Sequence, residues 1–73
     1  GGITAKKIGD KLHILGQETQ VICITHLSQI ARLSDHHFQI SKQSSETDTT
    51  VSIQELTANE KEKELERMQG ILT

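Results

Sequence analysis

The residue best placed to do chemistry in this sequence is His26. It directly follows the apolar run at residues 21–25, and ligands of open α/β sheets gather at the carboxyl ends of the strands. An imidazole can donate to a phosphate oxygen or accept from an attacking water at neutral pH. Judged by spacing alone, however, a single histidine after a strand more often caps the next helix or makes a structural hydrogen bond.

A metal site is the second chemistry to consider, because Cys23 and His26 have a C-x-x-H spacing and His36 and His37 follow. Zinc takes such ligands in tetrahedral sets. However, residues three apart on a strand point to opposite faces, and Cys23 lies within the apolar run. We therefore predict no metal site, and we interpret Asp35 to His37 as a turn into an edge strand.

The remaining candidates are Gly1 and Gly2, which tolerate a close approach of the backbone to a ligand. An origin in cloning would equally explain the pair. The sequence has no glycine-rich phosphate loop ending in Lys-Ser or Lys-Thr. No paired carboxylates at a strand end and no Ser-His-Asp set can be placed either. We therefore expect no enzymatic activity from this chain alone.

Periodicity predicts the elements that position these residues. Ala5, Ile8, Leu12 and Leu15 form one helical stripe. Within it Gly9 suggests close packing, and Gly16 fits a left-handed cap. The unbroken apolar run within residues 20–25 is typical of a central strand covered on both faces. A second helical stretch follows at residues 27–34.

The last third of the sequence alternates and then becomes helical again. Residues 37–42 and 50–54 predict an antiparallel hairpin with one face covered, and the polar residues 43–49 form its loop. Thr57 and Glu60 have the spacing of a capping box before a third helix. Leu65, Met68 and Leu72 give this helix an apolar stripe.

The predicted fold class is α/β, a βαβ crossover followed by an antiparallel hairpin and a C-terminal helix. Residues 1–73 are thin material for a complete core, with 33% apolar residues and one aromatic residue. We expect a single, incomplete domain, in which the first strand pairs with sequence outside this chain.

A net charge of −2 gives no general attraction to nucleic acid. One cysteine and no apolar run of membrane-spanning length predict a cytoplasmic protein without membrane contacts.

The stretches QVICITHLSQIA at residues 20–31 and DHHF at residues 35–38 resemble the RecN family of bacterial DNA repair proteins. This resemblance runs over nearly the whole chain. It implies the C-terminal part of an ABC-type ATPase head, related to SMC proteins, that acts in double-strand-break repair and recombination. The implied location is the cytoplasm, in association with the nucleoid.

The resemblance also implies roles for residues. His26 matches the switch histidine that contacts the γ-phosphate of ATP, and Gly1 and Gly2 fall at the dimer-facing D-loop, where the family usually has Ser-Gly. ATP and Mg²⁺ would bind only in the full-length protein, since the Walker A, signature and Walker B motifs would lie upstream. The implied partners are the remainder of the head, a second head in a homodimer, and DNA. The alternative is a non-catalytic interaction module that binds a partner through an open sheet edge.

Overall fold

The computed structural model describes residues 2–70. Within these residues, three helices and two strands follow one another: α1 (Gly2–Gly16), α2 (Ser28–Ala31), β1 (Phe38–Ser44), β2 (Thr49–Glu55) and α3 (Ala58–Gly70). This mixture of helices with an antiparallel hairpin confirms the α/β class, the hairpin and the C-terminal helix.

The first helix packs against the short second one at Gly9. A Cβ atom added to Gly9 would lie 3.0 Å from Leu33 Cδ1 and 3.4 Å from the Gln29 carbonyl oxygen. Gly9 is buried in α1, and Ala31 is buried in α2. The expected close packing at Gly9 is therefore confirmed. The left-handed cap expected at Gly16 is wrong, because no glycine of residues 2–70 has a positive φ.

The hairpin has the alternation that the sequence predicts but not the expected burial. Its register pairs Ile40 with Ile53 and Lys42 with Val51, so one face carries most of the apolar side chains. Phe38, Ile40, Val51 and Ile53 are each more than half exposed. The opposite, polar face contacts α3 through Gln39, which donates to Glu64. The apolar face is thus uncovered among the described residues.

The third helix begins with a complete capping box. The Thr57 amide donates to Glu60 Oε1 at 2.9 Å, and the Glu60 amide donates to Thr57 Oγ1 at 3.2 Å. Further along, Lys61 Nζ donates to the Ser34 carbonyl oxygen at 2.5 Å and ties α3 to the end of the α2 region. Leu65 is buried and Met68 is half-buried, whereas Leu72 lies outside the described residues.

The strand predicted over residues 20–25 is wrong for this structure, and so is the βαβ crossover built on it. Residues 20–25 have no regular secondary structure, and the sheet of the described part consists of β1 and β2. Ile22 and Ile24 are 83% and 88% exposed. A strand exists only where neighbouring backbone groups complete its hydrogen bonds, and β1 and β2 pair with each other instead.

The core of the described part is correspondingly small. Its buried apolar side chains are Ala5, Ala31 and Leu65. Several larger apolar residues are exposed, among them Ile3, Ile14 and the two isoleucines of the run at residues 21–24. The large apolar residues therefore lie mostly on surfaces that other polypeptide could cover.

Candidate functional site

His26 lies at a bend between the uncovered apolar run and α2. Its ring is exposed, whereas Thr25 and Leu27 on either side are half-buried. On its C-terminal side the chain is fixed, because Ser28 and Ala31 of α2 are buried. A group that approaches the bend from solvent can therefore reach the imidazole.

A side-chain hydrogen bond closes the bend. The Leu27 amide donates to Thr25 Oγ1 at 3.0 Å, which links the two residues that flank His26. Leu27 itself is extended, with φ −95° and ψ 119°, and its carbonyl oxygen accepts from the Ile30 and Ala31 amides at 3.1 Å each. The bend thus leads directly into the first turn of α2.

The two glycines assigned to a D-loop are only partly described. Gly1 lies outside the described residues. Gly2 begins α1 and is exposed, and Gln29 Nε2 lies 3.7 Å from the position that a Cβ of Gly2 would take. Gly2 thus lies near α2, and its role in a dimer contact stays a prediction.

The residues considered for a metal site are not brought together. Cys23 is exposed, because the run that contains it is uncovered. His36 Nδ1 lies 2.7 Å from Glu55 Oε2 at the open end of the hairpin. His37 Nδ1 is buried and has no hydrogen-bond partner among residues 2–70. Among residues 2–70, no three histidine, cysteine or acidic side chains cluster as metal ligands would.

Two carboxylates with polar partners shape the local electrostatics away from His26. The hydrogen bond from His36 to Glu55, followed by the charge of Glu55, raises the pKa of His36. The hydrogen bonds from the Thr57 backbone and side chain lower the pKa of Glu60. His36 lies beside the open end of the hairpin, and Glu60 lies in the first turn of α3.

A polar cluster that the sequence does not predict lies between the hairpin and α3. Glu64 is buried and accepts from Gln39 and, at 2.6 Å, from Arg67 Nε. Together with Leu56 and Lys63 these residues line an open cleft. An Arg three residues after a Glu on a helix predicts a pair, but nothing in the spacing predicts that Gln39 joins it.

Of the contacts that an ATP site requires, the residues of this chain can supply one, from His26. The exposed imidazole of His26 could meet a phosphate oxygen. The lysine-bearing loop that cradles phosphates has no counterpart in the sequence. Within residues 2–70, moreover, no helix is both long enough and apolar enough to cross a membrane.

Comparisons with known proteins reveal a consistent set of relatives. The chain is 43% identical over 68 residues to DNA repair protein RecN of Rickettsia prowazekii, 39% over 70 residues to RecN of Xylella fastidiosa, and 39% over 67 residues to RecN of Bacillus subtilis. These matches cover 92–96% of the chain but only 12–13% of each relative. No protein-family model matches the chain. Nearly the whole chain is therefore similar to a C-terminal segment, about one-eighth of the length, of RecN proteins.

Proposed function

We propose that this chain forms the C-terminal part of the ATPase head of a RecN-type DNA repair protein, which acts in double-strand-break repair and recombination. The observation that carries the proposal is the match to several proteins named DNA repair protein RecN over more than nine-tenths of the chain. The residues 20–31 that prompted the resemblance include His26.

In this proposal His26 is the switch histidine of the head. Its exposed ring, held at the bend before α2, is free to form a hydrogen bond with a group brought by another segment. When bound, ATP supplies the γ-phosphoryl group, and Mg²⁺ and a lysine from elsewhere in the head neutralise its charge. His26 orients the attacking water or donates to a phosphate oxygen.

The uncovered apolar surfaces support a missing remainder of the head as the main partner. In the described part of the chain, Ile22 and Ile24 lie in a run without strand partners, and the apolar face of the hairpin is exposed. Covering such side chains is favourable by roughly 1.5–3 kcal/mol for each large residue. Neighbouring strands of the same polypeptide would restore the predicted central strand at residues 20–25.

The further partners in this proposal are a second head and DNA. Gly1 and Gly2 would face the second head of a homodimer. DNA would contact other parts of the full-length protein, because the ten acidic residues of this chain outnumber its eight basic ones.

Steady-state kinetics of the full-length protein test the proposal. We expect His26→Ala to lower kcat for ATP by roughly 10²–10⁴-fold, which is the loss typical of a positioned proton-transfer or hydrogen-bonding group, and to leave nucleotide affinity nearly unchanged. His13→Ala is the matched control, since His13 is an exposed histidine on α1. An unchanged kcat in His26→Ala would overturn the assignment.

A non-catalytic interaction module is the second candidate, and the bare apolar face of the hairpin favours it. Under this alternative His26→Ala has no effect on ATP turnover. A polar substitution of Phe38 would then abolish binding of a separate protein, whereas in the ATPase head it would destabilise the head itself.

A further inference from the structure

We propose that Thr25 is a positioning residue for His26, acting through the hydroxyl group that closes the bend. This inference rests on the proposed function of His26. Its basis is the hydrogen bond from the Leu27 amide to Thr25 Oγ1, at 3.0 Å.

The bond matters because the two sides of His26 are held very differently. On the C-terminal side, α2 is packed on α1, with Ser28 and Ala31 buried and Leu33 and Gln29 in close contact with Gly9. On the N-terminal side, Ile22 and Ile24 are almost fully exposed. The Thr25 hydroxyl therefore joins the loosely held run to the fixed helix across a single residue, His26.

This link sets the direction of the imidazole. Because Oγ1 of Thr25 accepts from the amide of Leu27, the backbone at His26 must turn, and its side chain is carried outward while both neighbours stay half-buried. Threonine also restricts its own χ1 rotamer, which keeps the acceptor oxygen in place. Serine would preserve the acceptor, whereas valine keeps the shape of threonine but lacks the oxygen.

The side chain of Thr25 does not need to touch a nucleotide for this role. A small error in the position of a catalytic group costs rate without a matching loss of ground-state binding. We therefore expect Thr25→Val in the full-length protein to lower kcat about tenfold while KM for ATP stays within about twofold of wild type. Thr25→Ser should retain kcat within about twofold.

The double variant separates positioning from a general structural effect. Adding Thr25→Val to His26→Ala should cause no further loss of kcat, because Thr25 acts through the ring that is already absent. Thr50→Val is the matched control, since Thr50 lies exposed on β2, and it should turn over ATP like wild type.

The failures of the two proposals are distinguishable. If His26→Ala lowers kcat but Thr25→Val does not, the positioning role is refuted and the function of His26 stands. A further loss of kcat in the double variant, or a Thr25→Ser variant as slow as Thr25→Val, also refutes the positioning role. If His26→Ala itself turns over ATP like wild type, the proposed function is refuted.

Discussion

His26 could be singled out from the sequence because it follows an unbroken apolar run, although that run is not a strand here. The structure places the ring in solvent at a bend, next to a threonine whose hydroxyl fixes the turn. The hydroxyl contact depends on the backbone path at one residue. No periodic pattern in the sequence indicates this backbone path, so the hydrogen bond to Thr25 could not be predicted.

At the open end of the hairpin, the pair of His36 and Glu55 predicts a pH-dependent contact. The hydrogen bond and the charge of Glu55 raise the pKa of His36, so this contact stabilises the folded chain below the unfolded pKa of the ring. The stabilisation is lost as the pH rises through the higher, folded pKa. We expect Glu55→Gln to lower the titration midpoint of the His36 ring in NMR spectra.

The ring signals of His13, on α1, serve as the internal control for this titration. A His36 midpoint that is the same in wild type and Glu55→Gln would show that the pair does not persist in solution.

At the scale of elements, the hairpin and α3 form as predicted because each depends on local sequence signals. The hairpin needs only alternation and a polar loop, and α3 needs only Thr57, Glu60 and the residues that follow. Each of these signals acts over a few residues, so both elements form without the rest of a head. The close packing at Gly9 is also a local signal. A glycine inside a helix lowers the stability of the helix, and its lack of a side chain allows a neighbouring element to approach closely.

The capping box makes a prediction for the stability of α3. Thr57→Ala removes the oxygen that accepts from the Glu60 amide and should destabilise the folded chain by about 1 kcal/mol in urea unfolding. Thr57→Ser keeps the accepting hydroxyl and should have nearly the unfolding free energy of wild type. A separate part of the box depends on pH, because the hydrogen bond from the Thr57 backbone amide, followed by that of its side chain, lowers the pKa of the Glu60 carboxyl. The stabilisation from this carboxylate is present above its unfolded pKa and is lost as the pH falls through the folded pKa.

Thr47→Ala, in the exposed hairpin loop, is the control for the capping box. Equal unfolding midpoints for Thr57→Ala and Thr47→Ala would mean that the box contributes nothing to stability.

At the scale of the whole molecule, the run at residues 21–24 has no neighbouring strand within residues 2–70, and it does not form a strand there. Val21 to Ile24 have the composition of a central strand, but the described residues supply no strand beside them. A strand depends on partners that are distant in sequence, so its composition predicts the element only where those partners are present. In the same way, the alternation in the hairpin predicts a buried apolar face only where other polypeptide is present to cover it.

Because we propose that the full-length protein covers residues that are exposed in this chain, one substitution should affect the stability of the two proteins differently. Ile24→Ser should change the unfolding free energy of the 73-residue chain by no more than about 0.5 kcal/mol, because Ile24 is exposed. In the full-length protein, where we propose that Ile24 is covered, the loss should reach roughly 2 kcal/mol or more.

Leu65→Ala is the companion variant, because Leu65 is buried within the chain itself and its truncation should destabilise both proteins. A full-length Ile24→Ser variant as stable as wild type would argue that residues 21–24 remain uncovered there.

The most direct test of the proposed role of His26 is a single-turnover measurement of ATP hydrolysis by the full-length protein, with enzyme in excess over nucleotide. This measurement isolates the hydrolysis step from product release. If His26 is the switch histidine, His26→Ala should bind ATP like wild type but hydrolyse it roughly 10²–10⁴-fold more slowly, while His13→Ala should match wild type. Equal single-turnover rates for wild type and His26→Ala would contradict the assignment of His26 as the switch histidine.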